Sequence, residues 1–115
     1  MQTELLTKLI GKKVSGIVDR PSGTYHPKHK NIFYPINYGY IENLIGGDGK
    51  EQDAYILGTN KPLKTFKGII IAVYHRLNDI EDKLIVSLDG KNYSDKEILN
   101  MINFQEKYFK GEIIR

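Results

Sequence analysis

The chain has 115 residues, 40% of them hydrophobic and 27% charged, with a formal net charge of +3. That length and balance describe one globular domain spanning 1–115, large enough to bury a core without staples. No run approaches the roughly 18 apolar residues needed to span a membrane, and the absence of cysteine excludes disulfides and thiolate metal sites. Met1 to Ile10 is interrupted by Glu4 and Lys8 and does not read as a secretory leader, so a cytoplasmic protein is expected. The basic balance is mild. Lys12-Lys13 and Lys28-His29-Lys30 are its only tight clusters, and acidic residues lie among the others, which suits a small polyanion at least as well as a nucleic acid.

Leu5, Leu6, Leu9 and Ile10 have helical spacing, with Gly11 as a stop, and predict a short N-terminal helix. Val14 to Asp19 reads as a strand ended by the turn Arg20-Pro21-Ser22-Gly23. His26 to Asn31 is polar and reads as a loop. Ile32 to Ile41 favours extended backbone, but Pro35 and Gly39 interrupt it, which predicts an irregular segment rather than a clean strand. Gly46-Gly47-Asp48-Gly49 is a turn and Asp53 to Leu57 the strand leaving it. After the turn at Asn60-Lys61-Pro62, Gly68 to His75 is a nearly continuous apolar run and predicts a buried central strand. Asn78 to Asp82 is an acidic connection into a strand over Leu84 to Leu88. Ser94-Asp95-Lys96-Glu97 matches a capping box, followed by Ile98, Met101, Ile102, Gln105 and Phe109 at helical spacing, with Gly111 as the stop. Short strands with frequent turns and one packing helix predict a mainly β protein: a small barrel with a C-terminal helix and a short N-terminal one.

Three constellations carry chemistry. Asp48 and Asp53 flank a glycine turn, and Asp79, Glu81 and Asp82 lie on a second acidic loop. Magnesium takes oxygen donors and commonly shares one or two carboxylates with substrate phosphates; turns also favour Asp and Gly for their own sake. Tyr34, Tyr38, Tyr40 and Tyr55 crowd together, and Tyr108 lies on the C-terminal helix. Phenols can donate to phosphate oxygens, and half-buried strands favour tyrosine anyway. Lys83, Arg20, Lys28 and Lys30 are candidate phosphate ligands. His26, His29 and His75 lack metal-ligand spacing, and neither a phosphate-binding glycine loop nor a dinucleotide fingerprint is present.

At Tyr34-Pro35-Ile36-Asn37-Tyr38-Gly39-Tyr40 and Asp48-Gly49-x-x-x-Asp53 the sequence resembles the soluble inorganic pyrophosphatases, from about Val14 to Lys83. Val18 to Gly23 and Asp79 to Lys83 support the resemblance less specifically, and Tyr108 with Lys110 echoes a tyrosine-lysine pair. The resemblance implies a short, divergent member with a five-stranded OB-like barrel, homo-oligomers, and magnesium-dependent hydrolysis of pyrophosphate or a related phosphoanhydride. It implies metal ligands at Asp48, Asp53 and Asp79 and at either Glu81 or Asp82, and phosphate ligands at Tyr38, Lys83, Tyr108 and Lys110; Arg20 is a candidate from its place in the turn alone. Ser15 and Ile17 stand where the family carries a lysine and a glutamate. Lys50 stands at the motif's middle aspartate, and Glu51 at its usual proline. Asp53, Glu51 and Lys50 are therefore the candidates around the nucleophile. Glu51 could supply the missing carboxylate, or Lys50 could bind phosphate in place of a metal. Two rival readings stay open: a barrel that binds a phosphorylated ligand without turning it over, and an OB-type binder of single-stranded nucleic acid.

Overall fold

The computed structural model describes residues 2–115; Met1, which opens the segment read above as no leader, lies outside them. Helix α1 covers Gln2–Thr7 and is followed by strands β1 (Lys13–Arg20), β2 (Asn37–Ile45), β3 (Glu51–Leu57), β4 (Thr65–Arg76) and β5 (Asp82–Ser87). Helix α2 (Asp95–Glu106) and a last strand, β6 (Gly111–Ile114), complete the order. Strand order is β1-β2-β3-β5-β4-β6, and a further pairing of β1 with β4 closes the first five into a barrel. All pairings are antiparallel except β3 with β5, which run side by side so that Ala54 faces Leu84 and Leu57 faces Ser87. Long β4 closes the barrel through Thr65 to Ile69 against β1, then carries β6 on Val73 to Arg76.

The central strands read as unbroken apolar runs because both of their faces are covered. On β3, Ala54 and Ile56 point into the barrel with Leu84 and Val86 of β5, and Val18, Phe66, Ile70 and Val73 fill the same interior. Tyr55 and Leu57, on the opposite face, join Ile85, Tyr34 and Tyr38 under Ile98 and Ile102 of α2. The period of two along a strand thus sorts one sequence into two cores. Helix α2 starts with the expected capping box: Ser94 Oγ accepts from the Glu97 amide at 3.1 Å, and Glu97 Oε1 accepts from the Ser94 amide at 2.9 Å.

The irregular reading of Ile32 to Ile41 is resolved residue by residue. Phe33 makes an isolated bridge to Tyr25, and the ladder of β2 begins only after Pro35, at Asn37. Asn37 is fully buried and ties three segments: its Oδ1 accepts from the Ser22 and Leu63 amides, each at 3.0 Å, and its Nδ2 donates to the Lys61 carbonyl at 2.9 Å. Gly39 lets β1 cross close by, since a methyl there would overlap the Ile17 carbonyl. Gly111 does not stop the helix as expected. Helix α2 ends at Glu106, and Gly111 opens β6, where a side chain would strike the Tyr74 ring. Among the described residues no helix is long and apolar enough to cross a membrane.

Candidate active site

Because β3 and β5 run parallel, the residues that begin them meet at one end of the barrel. Asp53 keeps the parity of Tyr55 and Leu57, and Glu81 and Lys83 keep that of Ile85, so all three face the α2 side. There they border a cavity of about 560 Å³, lined also by Asp19, Arg20, Tyr38, Arg76 and Tyr108. At its centre Asp53 Oδ2 accepts from the Tyr38 hydroxyl at 2.9 Å and from Lys83 Nζ at 2.8 Å. Lys83 also donates to Glu81 Oε2 at 3.0 Å. Burial works against the Lys83 ammonium, but Tyr38 and Asp53 beside it outweigh that and hold it above the ordinary lysine range. Burial lifts the Tyr38 phenol too, so this hydroxyl stays protonated and donates.

A second layer supports these groups from below. The Arg76 side chain is only 4% exposed and is gripped by Glu106, Nε to Oε1 at 2.9 Å and Nη2 to Oε2 at 2.8 Å. Its remaining nitrogen, Nη1, reaches Asp79 and Glu81, each at 3.3 Å, while the Phe109 ring lies 3.6 Å from the guanidinium carbon. Glu106 Oε2 takes the Tyr55 hydroxyl at 2.6 Å; Gln105 links Tyr55 to Tyr34, and Tyr34 in turn accepts from Arg20 at 2.6 Å. Every group in this chain is partnered, which is what holds buried polar atoms in one geometry.

The expected site residues distribute unevenly. Tyr38, Asp53, Glu81, Lys83, Arg20 and Tyr108 all line the cavity. Asp48 sits on the exposed β2–β3 turn, yet its carboxylate meets that of Glu81. Their contact lowers Asp48, and burial followed by the same contact raises Glu81. Asp79 is turned to Arg76 and to the Ile80 amide. Asp82 has the opposite parity and is spent elsewhere, on His75 Nδ1 at 2.8 Å and on the Thr3 hydroxyl. Lys50 is exposed on the turn; its ammonium makes no ion pair among the described residues and does not line the cavity, while Glu51 is exposed at the start of β3 and borders a small void beside Asp48, Asp53 and Glu81. Lys110 is exposed, joined to the Asn78 side chain through its backbone amide.

Arg76, Glu106 and Gln52 were not singled out in the sequence, where Gln105 reads only as part of the packing face of the helix. The available signal was the apolar stripe of α2, Ile98 and Ile102, which continues into Gln105 and Glu106 instead of another hydrophobe. Polar residues on a buried face need partners, and the partners lie on β3 and β4.

Gln52 bears on a cation. It is 1% exposed, and its Oε1 has no hydrogen-bond partner. It borders a void of about 10 Å³ together with Asp48, Glu51, Asp53, Glu81, Asp82 and Lys83, roughly the space of one water or ion. Among the described residues no group of three or more acidic or histidine side chains is placed to hold an ion alone. Magnesium does not require that, because one or two carboxylates and substrate phosphates suffice. The Asp48–Glu81 pair, Asp53 and the unpaired Gln52 oxygen form a hard, all-oxygen donor set that fits such an ion.

A closed five-stranded barrel with an acid-and-base-lined cavity beneath one helix defines the class: a small OB-like barrel with a charged site on its helix-covered face. No family model matches the chain. It is 30% identical to the inorganic pyrophosphatase of Corynebacterium glutamicum over 84 residues, 70% of this chain and 51% of that protein. It is 33% identical to the enzyme of the same name from Halalkalibacterium halodurans over 88 residues, 71% of this chain and 52% of that protein. The chain thus spans about half the length of the curated relatives it matches. The inorganic pyrophosphatase structures from Ehrlichia chaffeensis and Thermus thermophilus share the fold with TM-scores of 0.70 and 0.63, both at 16% identity; they cover 91% and 90% of this chain, which covers 86% and 81% of theirs. The chain is thus similar in sequence to part of these inorganic pyrophosphatases and shares their fold.

Proposed function

We propose that the protein hydrolyses inorganic pyrophosphate, or a closely related phosphoanhydride, to phosphate in the cytoplasm, with magnesium as cofactor. The observation that carries this reading is the run Tyr38–Asp53–Lys83–Glu81–Arg76 at the base of one cavity, which places fixed cations and phosphate-type donors beside carboxylates free to share an ion. Asp48, Glu81, Asp53 and the Gln52 amide oxygen would hold magnesium, with Glu81 rather than Asp82 completing the set because Asp82 is engaged by His75 and Thr3. Bound there, magnesium would lower the pKa of a water and offset the charge on substrate oxygens. Lys83 and Arg20 would hold phosphate oxygens, and Tyr38 would donate its phenolic proton to one of them while keeping its place beside Asp53. Asp53, whose Oδ2 accepts from Lys83 and Tyr38, would be the acceptor for the attacking water's proton. Fixed charges of this kind need no reorganisation as charge develops, the usual source of large electrostatic catalysis. Tyr108 and Lys110 would serve the rim, Glu51, which borders the same void, would be a further carboxylate for the ion, and Lys50 would stay outside the chemistry.

Phosphate release measured across pyrophosphate, tripolyphosphate and nucleoside triphosphates, with magnesium or with chelator, tests this reading. Release from pyrophosphate that needs magnesium supports it; no release from any of them contradicts it. A second reading has its own observation: Asp53 and Glu81 are each already paired with a built-in cation. Such a pocket could hold a phosphorylated ligand without cleaving it, and tight binding with no turnover over hours would favour that reading.

A further inference from the structure

The outer half of the cavity is built by the segment between β1 and β2, and His26 within it is held in an unusual way. Its Nδ1 accepts two backbone amides, from Lys28 at 3.0 Å and from His29 at 3.2 Å. A nitrogen that accepts carries no proton, so the ring is fixed as the neutral tautomer with its hydrogen on Nε2. The ring lies between His29, 4.7 Å away, and Tyr34, 6.4 Å away, and lines the cavity. Nε2–H is then its one remaining polar group, and among the described residues no protein acceptor meets it. Arg20 reaches the same tyrosine from the strand, giving one N–H to Tyr34 and leaving others uncommitted. Asn31 and Tyr108 lie on the same rim, the Asn31 amide donating to the Tyr108 hydroxyl at 3.3 Å. Asp19 is the one carboxylate there and lies beside Arg20. Donors therefore outnumber acceptors on this side of the cavity.

We infer that the 24–33 segment is a phosphate-recognition element, in which His26 presents its Nε2–H beside Arg20 to a phosphoryl group that needs no metal ion to bind. This rests on the phosphate-site reading of the cavity, not on turnover. The turn that fixes it follows from the residue order, since Pro27 preorganises the chain and His26 then caps the next two amides.

The probe is inorganic phosphate in the presence of chelator. Nitrogen-15 NMR of the histidine rings should show His26 as the Nε2–H tautomer, and phosphate should shift that resonance saturably; an Nδ1–H tautomer, or no shift on titration, overturns the inference. His26→Asn keeps an acceptor oxygen for the two amides but cannot reach as far as Nε2. It should weaken phosphate binding by calorimetry about tenfold, the worth of one hydrogen bond to a charged acceptor, with thermal stability retained. Unchanged binding in that variant would show that His26 only builds the turn. Phosphate binding without any pyrophosphate cleavage would sink the proposed reaction and leave this inference standing; cleavage with an unaltered His26→Asn affinity would do the reverse.

Discussion

At the scale of single residues, position within the turn matters more than charge. A lysine between Asp48 and Asp53 would repel a divalent ion about 6 Å away by roughly 5 kcal/mol at an effective dielectric of about 20. Lys50 avoids this because the β2–β3 turn is tight: the Gly46 amide donates to the Lys50 carbonyl at 2.7 Å and the Lys50 amide donates to Asp48 Oδ1 at 3.0 Å, which leaves its side chain in solvent. Lys50→Ala should accordingly alter phosphate release from pyrophosphate less than about threefold, as surface changes usually do; a change of tenfold or more would put Lys50 in the site. His26 supplies a second residue-scale expectation. Burial, followed by the charges of Arg20, His29 and Lys28, holds it below the ordinary histidine value of 6.5. The unfolded chain therefore binds the proton more readily, and His26 costs stability as pH falls through about 6.5. Between about pH 7.5 and 5.5 the thermal midpoint of His26→Asn should drop less than that of wild type. An equal drop would mean that His26 titrates normally.

At the scale of elements, α2 is joined to the barrel by a hydrophobic face and by one buried ion pair. Ile98 and Ile102 pack on Tyr55 and Ile85, and one turn after Ile102 Glu106 reaches down to Arg76 on β4 and Tyr55 on β3. Burial acts against the Arg76 guanidinium, yet Glu106 more than reverses it and holds the charge firmly. Breaking such a pair leaves an uncompensated buried charge, at a cost of about 3–5 kcal/mol. Arg76→Met should lose about that much in urea unfolding, and Arg76→Met with Glu106→Gln should recover a substantial part of it. If the single variant is as stable as wild type, the pair is not what seats the helix. The same pair reaches the site, because Arg76 passes its last nitrogen to Glu81, so the single variant should also weaken phosphate binding.

At the scale of the whole molecule, the barrel was legible because its strands obey simple rules. Gly68 to His75 and Leu84 to Leu88 are apolar on both faces, and the capping box at Ser94 marks the helix start. Strand β6 was hidden because Gly111 reads as a helix stop, whereas its real constraint is the Tyr74 ring, a contact between residues far apart in sequence. The site was half legible. Tyr38, Asp53 and Lys83 lie within recognisable patterns. Arg76, Glu106, Gln105 and Gln52 sit in apolar surroundings, and their partners become visible only once β3, β4 and α2 are assembled. Parity also separates two neighbours: Glu81 lines the cavity with Lys83, and Asp82 bonds His75 and Thr3.

The central claim is that this cavity hydrolyses pyrophosphate through the carboxylates at its base, and Asp53 is the residue on which the geometry converges. The most direct test is the rate of phosphate release from pyrophosphate with magnesium, for wild type beside Asp53→Asn. Asparagine preserves size and removes the charge that Lys83 and Tyr38 address. The account predicts magnesium-dependent release by wild type and a loss of about a hundredfold or more in the variant, the scale of removing one preorganised electrostatic group. Wild type without release, or a variant as fast as wild type, would contradict it.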